Sequence, residues 1–397
     1  MPELDDRLRA AAVTFGTPAY VYLEDMIEAR LAALSAAFGR WFDLSFAVKS
    51  NPNAHLLGWL RGRVPYLDVS SGGEFARAVA AGWDATALSF TGPGKRDQEL
   101  EAAIGGGLGE LVVESLDEAR RADAIAQRLG RRQDVLLRIA PAVVPKGFGD
   151  QMAGRPSPFG VDVEVAPEVL RAVMALSGLR VAGLHIYSGT QCLKPAAVAE
   201  NWRIFMGIFG DLCAATGLAP EKLVFGSGLG IPYHPGDEGL DLGQIVGDVG
   251  ADLDAFLARF PGVRAVLELG RYLVGEAGFF VTRVVTVKES RGTRIAICDG
   301  GMNAHLAATG HFGMVLRRAY AMHVVGGEGP EEKVDLVGPL CTSIDRLGQG
   351  VMLPRVEPGS LIAIHASGAY GPTASPLGFI SHDAPVEVWA GEVLCRV

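Results

Sequence analysis

The chain has 397 residues, of which 49% are hydrophobic and 20% charged; this composition is globular, and the length suits two domains or one large barrel with an addition. A net charge of −9 leaves no excess of lysine and arginine to neutralise phosphates, which excludes a nucleic-acid surface. No run of about 18 apolar residues offers a membrane span, and the five scattered cysteines, Cys192, Cys213, Cys298, Cys341 and Cys395, form no C-x-x-C pair, which points to reduced thiols in the cytoplasm rather than a disulfide framework or structural zinc.

The chain opens on MPELDDRLRA, which is acidic and lacks the apolar stretch of a secretory leader. PAYVYLEDMI (18–27) has strand character and suits either a separate β domain or the lead into a barrel. From about residue 44 to 271, eight apolar runs alternate with helical patterns: SFAVK, YLDVS, ALSFTG, LVVES, VLLRIA, VAGLHIYSG, KLVFGSG and AVLELGR. Continuous apolar runs fit strands buried on both faces of a parallel sheet. The clearest helix starts at Ser115, which has capping-box spacing to Glu118; Leu116, Ala119, Ala122, Ile125, Ala126 and Leu129 share one face, and Gly130 stands where a C-terminal cap belongs. Further helices are expected over 53–61, 74–81, 166–177 and 197–216. The alternation predicts a (β/α)₈ barrel over 28–276. After 277 the segments FFVTRVVTVKE, TRIAICDGG, KVDLVGP, SLIAIHAS and APVEVWAGEVLCRV are β-rich; residues 1–27 with 277–397 are expected to make a β domain.

Barrels of this kind collect functional groups at the C-terminal ends of their strands. Those ends carry Lys49; Asp68, Ser70, Ser71 and Glu74; Arg138; His185 and Ser188; Gly226-Ser227-Gly228-Leu229-Gly230; and Glu268, Gly270 and Arg271. Taken singly, each has an ordinary reading: a solvated lysine, a hydrogen-bonded core histidine, a tight turn, a structural ion pair. Lys49 follows SFAV inside the proposed barrel, where desolvation suits imine chemistry. A dinucleotide fingerprint fails, because the glycines are spaced G-x-G-x-G and Pro232 and Pro235 follow where a long helix belongs. Glycines still let backbone N–H groups approach a phosphate. His305 and His311 lack a convincing set of metal partners, so no metal site is expected.

Together the segments FAVKSNPN, DVSSGGEFARAVAAG, HIYSGTQ, GSGLGIPY, ELGRYLVGEAG, CDGGMN, GPLCTSID and GAYG resemble the fold type III pyridoxal-phosphate decarboxylases, whose best-known member is diaminopimelate decarboxylase. The resemblance runs from about residue 16 to 395 and implies an alanine-racemase-like barrel with a C-terminal β-sandwich or β-barrel domain. It implies pyridoxal 5'-phosphate held as a Schiff base on Lys49, with His185 stacked on the ring and Glu268 on the pyridinium nitrogen. Asp68 and Glu74 match positions near the ring; Ser188, Gly228, Gly230, Gly270, Arg271 and Tyr370 match phosphate-side or active-site contacts. Cys341 and Asp345 resemble residues that the second subunit of a homodimer adds to a shared site, with Cys341 placed to supply the proton that replaces CO₂. Arg271, Thr342 and Asp345 are the expected substrate contacts.

The departures concern the substrate. Diaminopimelate decarboxylases carry Glu directly after the cysteine, in a Cys-Glu-Ser motif, where it recognises the distal end of the substrate; here that position is Thr342. Their Tyr-Asn and Arg-Pro after GAYG are replaced by PTASPLGFISHDAPVEV, while Leu269 and Ser227 replace a proline and a glycine. The pattern is closer to decarboxylases of secondary-metabolite and surface-polymer clusters, some of which resemble enzymes acting on aminoacyl groups tethered to a carrier protein. Removal of the α-carboxylate from an L-amino acid or derivative is therefore the expected reaction. The alternatives are a diaminopimelate or other basic amino-acid decarboxylase, a racemase, against which Glu268 counts, and a non-catalytic regulator, against which Lys49 and Cys341 count. A small pyridoxal-phosphate carrier barrel lacks the extra β domain.

Overall fold

The structure is a computed structural model and describes residues 2–310 and 318–397; His311 lies outside them. The described chain divides into two compact units, residues 32–230 with 239–270, and residues 1–31 with 231–238 and 271–397.

Eight parallel strands close the first unit into a barrel: Asp43–Ala47, Tyr66–Val69, Leu88–Phe90, Glu110–Val113, Gln133–Ala140, Leu179–Ile186, Lys222–Gly226 and Arg264–Leu269. They are called strands one to eight below. Each pairs with the next, and strand eight closes on strand one through Glu268 opposite Ser45. A two-residue strand, Val161–Asp162, adds to the side of strand five. The apolar runs form strands here because both faces are buried: Leu136 and Leu137 are fully enclosed, and Ile139 is 1% exposed. Val112, Leu136, Ala182, Val224 and Val266, one from each of five successive strands, pack as one cluster.

The helices between the strands are set by local caps. Ser71 Oγ accepts from Glu74 N at 3.1 Å and Ser115 Oγ from Glu118 N at 3.1 Å, so helices Gly72–Ala80 and Leu116–Arg128 each begin on a serine. The expected reciprocal half of the Ser115 box does not form. Glu118 reaches one residue further back, to Glu114 N at 2.8 Å, because its other oxygen holds the buried Lys95 ammonium at 2.5 Å. Gly130 takes the left-handed conformation at φ 64°, as its place after the helix requires.

The second unit is built on a nine-stranded sheet. Ala19–Leu23 lies antiparallel to Gly278–Ser290 and parallel to Val386–Ala390, so PAYVYL joins this sheet. Thr293–Cys298, Glu331–Val337 and Arg346–Pro354 extend it on one side, and Leu394–Arg396 ends it on the other. Leu361–Ile364 pairs with both Gly278–Ser290 and Met322–Val324. The helix Pro2–Phe15, unexpected from the sequence, buries Leu8, Ala11 and Ala12 against Val21, Leu23, Phe279, Val281, Val388 and Ala390. Residues 28–31, 231–238 and 271–276, read above as part of the barrel, cluster with this unit. Among the described residues no helix is long and apolar enough to cross a membrane.

Candidate active site

Strand one runs into a single 3₁₀ turn, Val48–Ser50, which presents Lys49 at the C-terminal mouth of the barrel. Asp68, on strand two, is fully buried. Its Oδ1 accepts from Thr91 Oγ1 at 2.5 Å and Ser89 Oγ at 3.3 Å; its Oδ2 is buried without a protein partner. Glu74 Oε2 accepts from Ser70 N at 2.7 Å, which locks the turn after strand two. On strand six, His185 Nε2 meets Glu268 Oε2 of strand eight at 2.9 Å, and His185 Nδ1 is buried without a partner. Arg138, on strand five, bridges Glu114 Oε1 at 3.0 Å and the Tyr187 carbonyl at 3.4 Å.

These neighbours drive two buried carboxyls apart. Burial, followed by the charge of Glu268, raises Asp68 well above the usual carboxylate range, against the pull of Lys49. Burial also pushes Glu268 upward, but His185, Lys49 and Arg138 outweigh it and hold that carboxyl below its usual value. Glu74 is raised by burial. One barrel mouth therefore offers an amine, a carboxylate held ionised and a carboxyl biased toward its protonated form, which is the separation of roles that proton chemistry uses.

Strand seven ends in the glycine-rich loop 226–230, packed against residues 187–192. Cys192 N donates to the Gly228 carbonyl at 3.0 Å, and Gly230 N to the Cys192 carbonyl at 2.9 Å. Gly228 has φ +68°, and a Cβ there would stand 2.5 Å from Phe148 Cε1, so only glycine fits. Ser188 Oγ is buried and donates to Asn201 Oδ1 at 2.9 Å. Gly270 packs on Ser50, with no room for a Cβ. Two orphaned buried polar atoms, Asp68 Oδ2 and His185 Nδ1, at the barrel mouth that carries Lys49 fit pyridoxal phosphate.

In the second unit, Arg271 Nη1 donates to the Tyr233 hydroxyl at 2.5 Å, and its guanidinium lies 4.7 Å from the centre of the Tyr370 ring. Cys341 is exposed, and Thr342 is half-buried beside it. Asp345 is buried and accepts from Met302 N at 2.6 Å and Leu340 N at 2.9 Å, one oxygen to each. Gly301 and Gly338 have no Cβ because the same carboxylate fills that space. Asp345 thus ties down its own loop.

Sequence reasoning passed over Thr91, Glu114 and Tyr187. Thr91 and Glu114 directly follow strands three and four, and the strand-end rule that found Lys49 and Glu268 applies to them equally. Tyr187 stands inside the quoted HIYSG, between two residues that were assigned, and its ring centre lies 5.5 Å from Lys49 Nζ.

The family model for the pyridoxal-binding domain of pyridoxal-dependent decarboxylases matches residues 24–275. The chain is 34% identical to the L-glutamyl-[BtrI acyl-carrier protein] decarboxylase of Niallia circulans, over 96% of this chain and 91% of that protein. It is 31% identical to the diaminopimelate decarboxylase of Aquifex aeolicus, over 92% and 84%. The solved diaminopimelate decarboxylase of Helicobacter pylori, complexed with L-lysine, superposes with a TM-score of 0.88 at 27% identity, covering 98% of this chain and 95% of that one.

Proposed function

The chain belongs to the pyridoxal-dependent decarboxylases, and from that premise we propose that its substrate is an L-aminoacyl group with an uncharged distal end, carried on an acyl-carrier protein. One observation carries the reading. Thr342 stands where a diaminopimelate decarboxylase is expected to carry glutamate, and Asp345, the carboxylate of the same GPLCTSID loop, is committed to two backbone N–H groups. A distal ammonium buried there without a partner costs on the order of several kcal/mol. The Niallia circulans relative, which acts on a glutamyl group held by a carrier protein, supports the same choice.

Bound on Lys49, pyridoxal phosphate supplies an electron sink for the carbanion left when CO₂ departs. In this reading Glu268 stays ionised and accepts a hydrogen bond from the ring nitrogen, His185 faces the ring, and Asp68 and Glu74 stand near it. Ser188, Gly228, Gly230, Gly270, Arg271 and Tyr370 take the phosphate side. The Cys341 thiol, from the second copy in a homodimer, gives Cα the proton that replaces CO₂. The unpaired cysteines suit the reducing cytoplasm.

The test is CO₂ release from free and carrier-bound amino acids, compared as kcat/KM. Carrier-bound aminoacyl groups should exceed meso-diaminopimelate, and Thr342→Glu should move the preference toward substrates with a distal ammonium. Equal turnover of free diaminopimelate by the native protein would overturn the reading.

A further inference from the structure

Tyr187 stands between His185 and Ser188, just past the end of strand six. Lys49 Nζ lies 5.5 Å from the centroid of its ring. Two features bear on its placement, one on the ring and one on the backbone. Gly226 leaves it room, since a Cβ there would stand 2.5 Å from Tyr187 Cδ2. The Tyr187 carbonyl accepts from Arg138 Nη2 at 3.4 Å, and Arg138 is itself anchored on Glu114 at 3.0 Å. An aromatic face within about 6 Å of an ammonium attracts it through the ring quadrupole.

We propose that Tyr187 is a positioning residue whose ring face holds the Lys49 ammonium whenever that lysine is off the cofactor. The proposal rests on the reading of Lys49 as the cofactor lysine. When a substrate amine takes the place of Lys49, the bond from the cofactor carbon to Lys49 Nζ breaks as the bond to the substrate nitrogen forms. Nζ already carries one proton in its bond to the cofactor carbon, and the two protons that the substrate ammonium sheds join it, so the lysine is left as an ammonium beside the ring. Asp68 on strand two, Glu74 on the following helix and Glu268 on strand eight also act on Lys49, and Glu268 is in turn held by His185 and Arg138. Those attractions change as the carboxylates titrate or engage other groups. The attraction of the neutral ring does not, so it gives the displaced lysine a fixed resting place close to the position it must regain.

The experiment uses the full-length protein stripped of cofactor. It is incubated with pyridoxal phosphate and cyanoborohydride across a pH series, and the adduct on Lys49 is quantified by peptide mapping. A lysine model amide treated in parallel corrects for the reagents. The ring favours the ammonium, so its removal lowers the pH at which Lys49 becomes a free amine. Tyr187→Leu should lower the capture midpoint by about half a pH unit or more, which raises capture at neutral pH about threefold or more. Tyr187→Met fills the same space without a ring and should shift the midpoint the same way, which guards against a folding defect in the leucine variant. Tyr187→Phe keeps the ring face and should leave the midpoint in place. A native midpoint in both the leucine and methionine variants would overturn the proposal, as would a phenylalanine variant that shifts as far as they do. Capture on a lysine other than Lys49 would instead overturn the assignment of the cofactor lysine, and peptide mapping separates the two failures.

Discussion

Glu268 and Asp68 face the same barrel mouth and are driven in opposite directions. Glu268 keeps its charge because His185, Lys49 and Arg138 surround it, while Asp68 has its Thr91 and Ser89 hydroxyls on one oxygen and nothing on the other. Glu268→Gln removes the charge and keeps the shape. Initial rates of CO₂ release should fall roughly 10- to 100-fold, the scale of one charged hydrogen bond, while absorbance shows the cofactor still bound. An unchanged rate would mean that Glu268 does not support the ring nitrogen. Most of this site was legible in the sequence, because the strand-end rule and short ordered motifs pick out Lys49, Asp68, His185 and Glu268. The anchoring of Asp345 was not legible for a physical reason: its spacing from Cys341 says nothing about the backbone N–H groups of Met302 and Leu340 that its oxygens accept from.

At the scale of elements, the loop after strand seven depends on having no side chain. Gly228→Ala would force a Cβ toward Phe148 at a positive φ. It should destabilise the protein by about 1–3 kcal/mol and weaken cofactor retention, read by urea unfolding and by an absorbance titration with pyridoxal phosphate. A second element-level prediction concerns the loop after Thr293–Cys298. His305 there is fully buried among Tyr20, Phe280 and Tyr320, and burial pushes its imidazole down to about 3. The unfolded chain binds a proton near the ordinary histidine value of about 6.5 and the folded chain does not. Stability is therefore fully present above that value and falls as the pH drops toward about 3. The loss by pH 5 is roughly 2 kcal/mol from this one residue. His305→Gln should flatten the slope of urea-unfolding stability against pH; an undiminished slope would contradict the assignment. The eight barrel strands were legible because continuous apolar runs mark strands buried on both faces. Arg346–Pro354 was not, since RLGQGVMLP carries two glycines and no period-two alternation. The helix Pro2–Phe15 was missed although Leu8, Ala11 and Ala12 have helical spacing, because its charged face masks a short apolar stripe.

For the whole molecule, Lys49 belongs to one compact unit and Cys341 to the other, and the proposed reading draws the two from different copies of the chain. Lys49→Ala and Cys341→Ala are each expected to be inactive. Mixed under subunit exchange, they should regain part of the native CO₂ release, because one hybrid site holds both native residues. Full activity in a species that ultracentrifugation shows to be monomeric would contradict shared sites. The central claim is that Lys49 carries the cofactor on which an amino acid loses its carboxylate. The direct measurement is borohydride reduction of the purified, cofactor-loaded protein, followed by peptide mapping and a CO₂ assay on the same sample. The account predicts one pyridoxyl adduct, on Lys49, with CO₂ release abolished in proportion to it. An adduct on Lys95, Lys222 or any other lysine, or full CO₂ release from protein reduced at Lys49, would contradict it.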